Sequence, residues 1–127
     1  MLCVKTILKQ SNISGIGLFA DEDIIKDTIV WKFDELIDIL LTKEDIDKLS
    51  DVSTQQVYNY AFVDTYHNKY MLCGDDGRFF NHSDNYNCND KGKDITIAIR
   101  DIVKGEELTV DYKAFYGDYE NIKDLLK

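Results

Sequence analysis

Short apolar runs with strand-like patterns recur along the chain and predict a β-rich fold. The clearest is residues 95–99, where three isoleucines alternate with a threonine and an alanine, so one face of the strand is apolar. The other runs are rich in β-branched and aromatic residues and lie between turn residues. Strands are therefore expected at residues 2–8, 18–20, 28–33, 59–64, 69–72, 95–99 and 108–112.

Two segments have the features of short helices. Thr42 is a suitable N-cap before the acidic first turn of a helix over 43–49, with Ile46 and Leu49 on one face. A second short helix over 118–126 would bury its aliphatic side chains. No repeat, linker or low-complexity tract divides the chain, so we expect one mainly β domain with small helices.

Composition adds constraints on partner and compartment. The 127 residues carry 15 basic and 24 acidic side chains, a net charge of −9, which argues against direct nucleic-acid binding and favours a basic partner. No membrane-length apolar run or secretory signal is present, so we expect an intracellular protein, in nucleus or cytoplasm, without a membrane partner. Cys3, Cys73 and Cys88 form no C-x-x-C pair and are expected to be reduced thiols. The sequence indicates no oligomeric state.

Three motifs carry candidate chemistry, and the first two are ambiguous when taken alone. G-I-G at 15–17 lets a backbone approach a ligand but lacks the third glycine and following helix of a dinucleotide fingerprint, so a turn is the commoner interpretation. R-F-F-N-H-S at 78–83 follows a predicted loop at 74–77 and is typical of a turn asparagine beside a hydrogen-bonded histidine. No G-x-S-x-G elbow supports a hydrolase. G-E-E-L-T-V-D-Y at 105–112 is a turn leading into a strand.

In this order the three motifs resemble the SET domain of protein-lysine methyltransferases, over about residues 15–116. The resemblance implies several small twisted sheets of the β-clip type, in which the N-H-S segment and the segment around Tyr112 cross in a C-terminal pseudoknot. A single domain over 1–127 would contain a variable central insert at about 34–58 and a short tail at about 113–127, without a zinc-binding module before or after it.

The resemblance also implies a cofactor and the residues that hold it. S-adenosylmethionine would be the methyl donor, and the acceptor would be a lysine side chain of a histone or another basic protein. The glycine turn would contact the cofactor through its backbone, Asn81 and His82 would hold its adenine and methionine ends, and no metal is required. The implied cofactor residues are Gly15, Ile16, Gly17, Arg78, Asn81, His82, Tyr112 and Tyr116.

A channel for the substrate lysine follows from the same resemblance. Tyr112 would be the catalytic tyrosine, where channel and cofactor pocket meet, and Tyr60 would be a channel tyrosine at the head of a central strand. Val110 stands where relatives often have a Phe or Tyr that influences how many methyl groups are added. The smaller valine would leave room for more than one.

The chain departs from the family pattern N-H-S-C-x-P-N, because Asp84 and Tyr86 replace its cysteine and proline. No cysteine follows Cys88, so a cysteine-based zinc module in the tail is not expected. The polar run 85–90 fails the calcium-loop pattern and is predicted as a solvated loop. The aromatic residues available to close the channel, or simply to pack in the core, are Phe115, Tyr116 and Tyr119.

These departures keep an alternative open: a catalytically silent SET-fold module that binds the cofactor or a lysine-containing peptide. Turnover would exclude that alternative, whereas binding without turnover would favour it. A third possibility, an unrelated small β-rich structural protein, predicts no affinity for the cofactor.

Overall fold

The chain folds into four small sheets, and a computed structural model describes residues 1–64, 66–92 and 94–112. The strands are β1 (Thr6–Gln10), β2 (Ile16–Ala20), β3 (Ile29–Lys32), β4 (Ile39–Leu41), β5 (Phe62–Asp64), β6 (Lys69–Leu72), β7 (Asn81–His82), β8 (Cys88–Asp90), β9 (Ile95–Ala98) and β10 (Thr109–Val110). The helices are α1 (Lys43–Asp47), α2 (Asp51–Tyr60) and a 3-10 helix over Asp76–Phe79.

Three of the sheets are antiparallel and one is parallel. β1 pairs with β2, while the two three-stranded sheets have the orders β3-β9-β8 and β4-β6-β5. The parallel pair joins β7 to β10, two strands from distant parts of the chain. The described chain consists mostly of strands in small sheets, with a few short helices, and this confirms the predicted fold class. Among the described residues, neither α-helix has the length and apolar composition of a membrane span.

The main core lies where β2, β3, β9 and β10 meet. Its fully buried members include Leu18, Val30, Ala98 and Leu108. β9 differs from the prediction of one apolar face, because its residues 96–98 are all buried. The strands β3 and β8 cover only its edges, so the burial of consecutive residues means that both of its faces are covered by other parts of the fold.

Two sequence predictions around the insert need correction. Thr42 caps α1 as predicted, in a capping box with Asp45, but the helix ends at Asp47 and Leu49 is 38% exposed. Residues 59–60, predicted as strand, instead end α2. The Ser50 side chain caps that helix by accepting the Ser53 N–H, and the helix buries its apolar side against Ile46, so capping and packing override the strand preference of the aromatics.

Other boundaries also differ. The first strand begins at Thr6, four residues later than predicted, and the predicted 74–77 loop contains the start of the 3-10 helix. The run 85–90, predicted as a solvated loop, holds the buried Asn87 and Cys88 and leads into β8. The predicted helix 118–126 and the whole tail 113–127 lie outside the described residues.

Candidate functional site

The R-F-F-N-H-S and G-E-E-L-T-V-D-Y motifs meet along the parallel β7–β10 pair. The Tyr112 N–H donates to Nδ1 of His82 at 3.1 Å, and the Ser83 N–H donates to the Val110 carbonyl at 3.1 Å. The Tyr112 hydroxyl donates to the Phe80 carbonyl at 2.7 Å. These bonds fix Tyr112 against both ends of the N-H-S segment and join the two segments predicted to cross.

A pocket of about 90 Å³ opens beside this junction. Four of the residues predicted for the site line it: Tyr60, Arg78, Val110 and Tyr112. The other residues that line the pocket are mostly uncharged and apolar: Trp31, Asn59, Ala61, Phe62, Cys73, Gly77, Phe80 and Thr96. Because burial raises the pKa of the Cys73 thiol to about 12, this group is neutral at physiological pH and adds no charge to the pocket wall.

Tyr60 reaches the pocket from a different element than predicted. It is the last residue of α2 rather than the head of a central strand. Its ring packs edge-on against Phe79, with centroids 5.6 Å apart, and the Arg78 guanidinium lies 5.6 Å from its centroid. Tyr60 therefore lines the pocket from the end of a helix and not from a strand.

Arg78 braces the pocket wall. Its Nε and Nη2 atoms both donate to the Cys73 carbonyl, at 3.2 and 2.9 Å. The guanidinium thus joins the 3-10 helix, the strand end before it and Tyr60. Arg78, one of the predicted cofactor residues, thus lies next to Tyr60.

The G-I-G turn lies against Asn81. Gly15 has a positive φ of 48° and open space where a Cβ would lie. Asn81 Nδ2 donates to the Ser14 carbonyl at 3.1 Å and lies 3.5 Å from the Ile16 carbonyl. The turn is therefore exposed at Gly15 and is contacted by the Asn81 amide.

Glu107 joins these parts, a role that the motif inspection did not assign to it. Its carboxylate accepts from Ser11 Oγ at 2.7 Å and from Asn81 Nδ2 at 2.9 Å. A Cβ on Gly17 would lie 2.6 Å from its Oε2 atom, so the glycine makes room for the carboxylate. The available signal was that Glu107 lies within the G-E-E-L-T-V-D-Y motif.

Asn87 is a second residue that sequence reasoning missed. Its amide is buried and donates to the Glu107 carbonyl at 2.8 Å, while its Oδ1 accepts the Thr109 N–H at 2.9 Å. These two bonds pin the entry of β10 beside the site. No local pattern distinguishes Asn87 from the other asparagines of its run, because its role depends on a strand 20 residues away.

His82 has a defined hydrogen-bond arrangement. Since its Nδ1 accepts the Tyr112 N–H, the neutral ring carries its proton on Nε2, which is 3.2 Å from Asp84 Oδ1. Asp84 is one of the departures from the family pattern, and its side chain is almost fully exposed. Tyr116, the remaining predicted cofactor residue, lies outside the described residues, as do Phe115 and Tyr119.

Comparison with known proteins decides the family. A sequence model of the SET domain matches residues 15–113, which include all three motifs. The chain belongs to the SET-domain family. This SET domain is 31% identical over 121 residues to human histone-lysine N-methyltransferase 2D, covering 87% of the chain and 2% of that protein. It is 34% identical over 117 residues to histone-lysine N-methyltransferase trithorax of Drosophila virilis, covering 86% of the chain and 3% of that protein.

The chain thus spans a small fraction of these curated relatives. Among solved structures, it matches a Plasmodium falciparum protein described as a candidate histone methyltransferase, with a TM-score of 0.60 and 21% identity. The match covers 86% of this chain and 93% of that one. At this identity the likeness supports the fold, which agrees with the sheets described above.

Proposed function

We propose that this SET domain transfers a methyl group from S-adenosylmethionine to the side-chain amine of a lysine in a protein, a histone or another basic protein. The observation that carries the proposal is the junction at Tyr112. Its hydroxyl faces the pocket segment at Phe80 while its backbone is bonded to His82. A tyrosine at this junction is suited to act between a substrate amine in the pocket and a cofactor bound at the N-H-S segment.

The pocket favours the reactive form of an amine. An ordinary lysine has a pKa near 10.4, and its deprotonation at pH 7 costs about 4–5 kcal/mol. The walls formed by Trp31, Phe62 and Phe80 disfavour a buried ammonium and so lower its pKa. Narrow apolar walls also restrict the approach of the amine, which reduces the entropy lost in the reaction.

Tyr112 is oriented to act as an acceptor. The hydroxyl proton is donated to the Phe80 carbonyl, a bond that uses no lone pair of the oxygen, and a substrate amine N–H is a donor that such a lone pair would accept. A positioned acceptor of this kind aligns the nitrogen lone pair without itself exchanging a proton. The ring, packed 5.4 Å from the His82 ring, keeps the hydroxyl in place.

The residues near the G-I-G turn fit S-adenosylmethionine. Gly15 leaves open space over its backbone, the Asn81 amide lies against the turn, and His82 follows Asn81 on β7. When bound, the cofactor supplies an electrophilic methyl on a sulfonium centre, whose positive charge further disfavours a neighbouring ammonium. Glu107 would hold Asn81 in the orientation that contacts the ligand.

Charge and pocket size favour a basic segment and more than one methylation round. The net charge of −9 attracts lysine-rich peptides. Val110 lines the pocket and is smaller than the aromatic residue common at this position in relatives, so we expect room for a methylated amine. The intracellular location predicted from the sequence stays a prediction.

Labelled S-adenosylmethionine offered with a panel of histones and other basic proteins tests the proposal. Tyr112→Phe removes only the hydroxyl, and we expect transfer to fall by roughly 100-fold or more, the size typical for loss of one preorganised polar group. Tyr70→Phe is the matched control, since Tyr70 lies on β6 outside the pocket, and it should retain full transfer. Cofactor binding by calorimetry without transfer by the unaltered chain would favour the silent module instead.

A further inference from the structure

A second cluster of ionisable groups lies outside the pocket, where the β5–β6 turn meets the β8–β9 turn. One ligand atom from each of Asp64, His67 and Asp94 lies within 4.8 Å of the others. Oδ2 of Asp94 is 3.0 Å from Nδ1 of His67, and Oδ2 of Asp64 contacts the same nitrogen. One imidazole nitrogen thus faces two carboxylates from different parts of the chain.

Asp64 is buried and Asp94 is half-buried, which makes the charge on their carboxylates costly. The side chain of Asp64 is 4% exposed and that of Asp94 is 9% exposed. Buried charges are normally paired or bound to a metal. Asp90 adds a third carboxylate that interacts electrostatically with both.

In the described part of the chain, lysine and arginine side chains do not balance this charge. None of the lysine and arginine side chains in residues 1–64, 66–92 and 94–112 forms an ion pair with these three aspartates. His67 contributes at most one positive charge. Among the described residues, the carboxyl groups of this cluster therefore outnumber its cationic groups, and a divalent cation would balance them.

The donor groups are held in place by the backbone around them. The Asp64 carboxylate accepts the N–H groups of Tyr66 and His67 at 3.2 and 3.1 Å. The Phe33 ring lies 5.5 Å from the His67 ring, and the Phe33 N–H donates to the Asp94 carbonyl at 3.0 Å. Preorganised donors reduce the entropy lost on binding an ion.

We propose that Asp64, His67 and Asp94 bind one divalent cation of the zinc type. Imidazole nitrogen and carboxylate oxygen are ordinary Zn²⁺ ligands at about 2.0–2.2 Å, and binding would require side-chain rotations that spread the three donor atoms around the ion. The imidazole makes the site less suited to Ca²⁺ and Mg²⁺, which take oxygen ligands. Three protein ligands leave a fourth position for water.

The place of the site in the fold gives the ion a consequence for the pocket. Phe62 and Thr96 line the pocket. Phe62 is two residues before the metal ligand Asp64, and Thr96 is two residues after the metal ligand Asp94. A bound cation would therefore clamp two segments of the pocket wall together at their outer ends. We expect it to stabilise the native chain, because an ion that binds only the folded state raises its stability.

Calorimetric titration of the chelator-stripped chain with ZnCl₂ tests the site, with CaCl₂ and MgCl₂ in parallel. We expect one equivalent of Zn²⁺ to bind, with much weaker binding of the other two ions, and the unfolding temperature to rise with Zn²⁺. Asp94→Asn and His67→Gln should each weaken binding by more than about 100-fold, since loss of even an outer-sphere partner costs roughly 10–100-fold.

Two controls separate this site from other zinc ligands. Asp84→Asn makes the same change beside the other histidine, His82, and should leave the affinity for Zn²⁺ unaltered. Cys3→Ser removes the exposed thiol and should also have no effect. If Asp94→Asn fails to fold by circular dichroism, His67→Gln decides, because His67 is 31% exposed.

Several results would overturn the assignment: no Zn²⁺ binding, binding unchanged in the folded Asp94→Asn or His67→Gln variant, or binding lost in Cys3→Ser. A thiolate charge-transfer band on Co²⁺ substitution would likewise place the ion on a cysteine. A Co²⁺ spectrum that lacks the thiolate band and disappears in the His67→Gln variant would support the assignment.

Discussion

The motif side of the site and the insert beside it are held together by different forces. On the motif side, Glu107, Asn81 and Asn87 make specific bonds that join the G-I-G turn to β7 and β10. In the insert, Ile46 and Val57 pack in a small apolar cluster beneath α2. The comparison teaches that single polar atoms control the first region, whereas volume and backbone fit control the second.

Gly74→Ala should have the largest effect on stability. A Cβ at Gly74 would overlap the Ile37 carbonyl, a backbone atom of the insert that cannot rotate away. We expect the free energy of unfolding to fall by about 3 kcal/mol, the upper part of the range for overpacking, measured by urea denaturation.

The matched change on the motif side is Gly17→Ala, where the Cβ would meet the Glu107 side chain at 2.6 Å. That side chain can move, so we expect a loss of about 1 kcal/mol, together with weaker binding of S-adenosylmethionine as Glu107 releases Asn81. Unaltered stability of Gly74→Ala would contradict the backbone clash.

Asn81→Asp should have an intermediate effect on stability and a strong one on cofactor affinity. The new carboxylate would face Glu107 Oε2 and the Ser14 carbonyl, both acceptors within about 3.1 Å of the present amide nitrogen. Loss of donors at acceptors that stay in place costs about 1–3 kcal/mol. Asn85→Asp adds the same charge at an exposed site and should change neither property; if both variants behave alike, net charge rather than the local bonds is responsible.

Ile46→Val should have the smallest effect and sharpen the contrast. Ile46 is fully buried, so removal of one methylene should cost about 0.5–1.5 kcal/mol of unfolding free energy and leave cofactor affinity unchanged. Val52→Ala, at a position 74% exposed, serves as the control and should stay within about 0.5 kcal/mol of the parent. A large change of cofactor affinity in Ile46→Val would show that the two regions are coupled.

The contrast between specific polar bonds and packing also explains which features could be predicted from the sequence. The meeting of Tyr112 with His82 followed from motif resemblance, because the motif residues make the bonds that join them. The Thr42 cap followed from local chemistry. Both depend on interactions that leave a readable local pattern.

Features that depend on distant packing were missed or misplaced. Tyr60 lines the expected pocket but ends a helix, because Ser50 caps that segment and Ile46 covers its apolar side. Asn87 is buried because Thr109 and Glu107 lie above it, and the cluster of Asp64 with Asp94 forms only when two hairpins meet. Apart from the Ser50 cap, which is local, these contacts join residues that are distant in the sequence.

Mass spectrometry of histones and other basic proteins incubated with the chain and S-adenosylmethionine tests the central claim most directly, since it reports the target lysine and the number of methyl groups together. We predict methyl-lysine in the presence of the unaltered chain, with dimethylated product accessible because of Val110, and none above background with Tyr112→Phe. Absence of methyl-lysine with the unaltered chain, or equal amounts with Tyr112→Phe, would contradict the account.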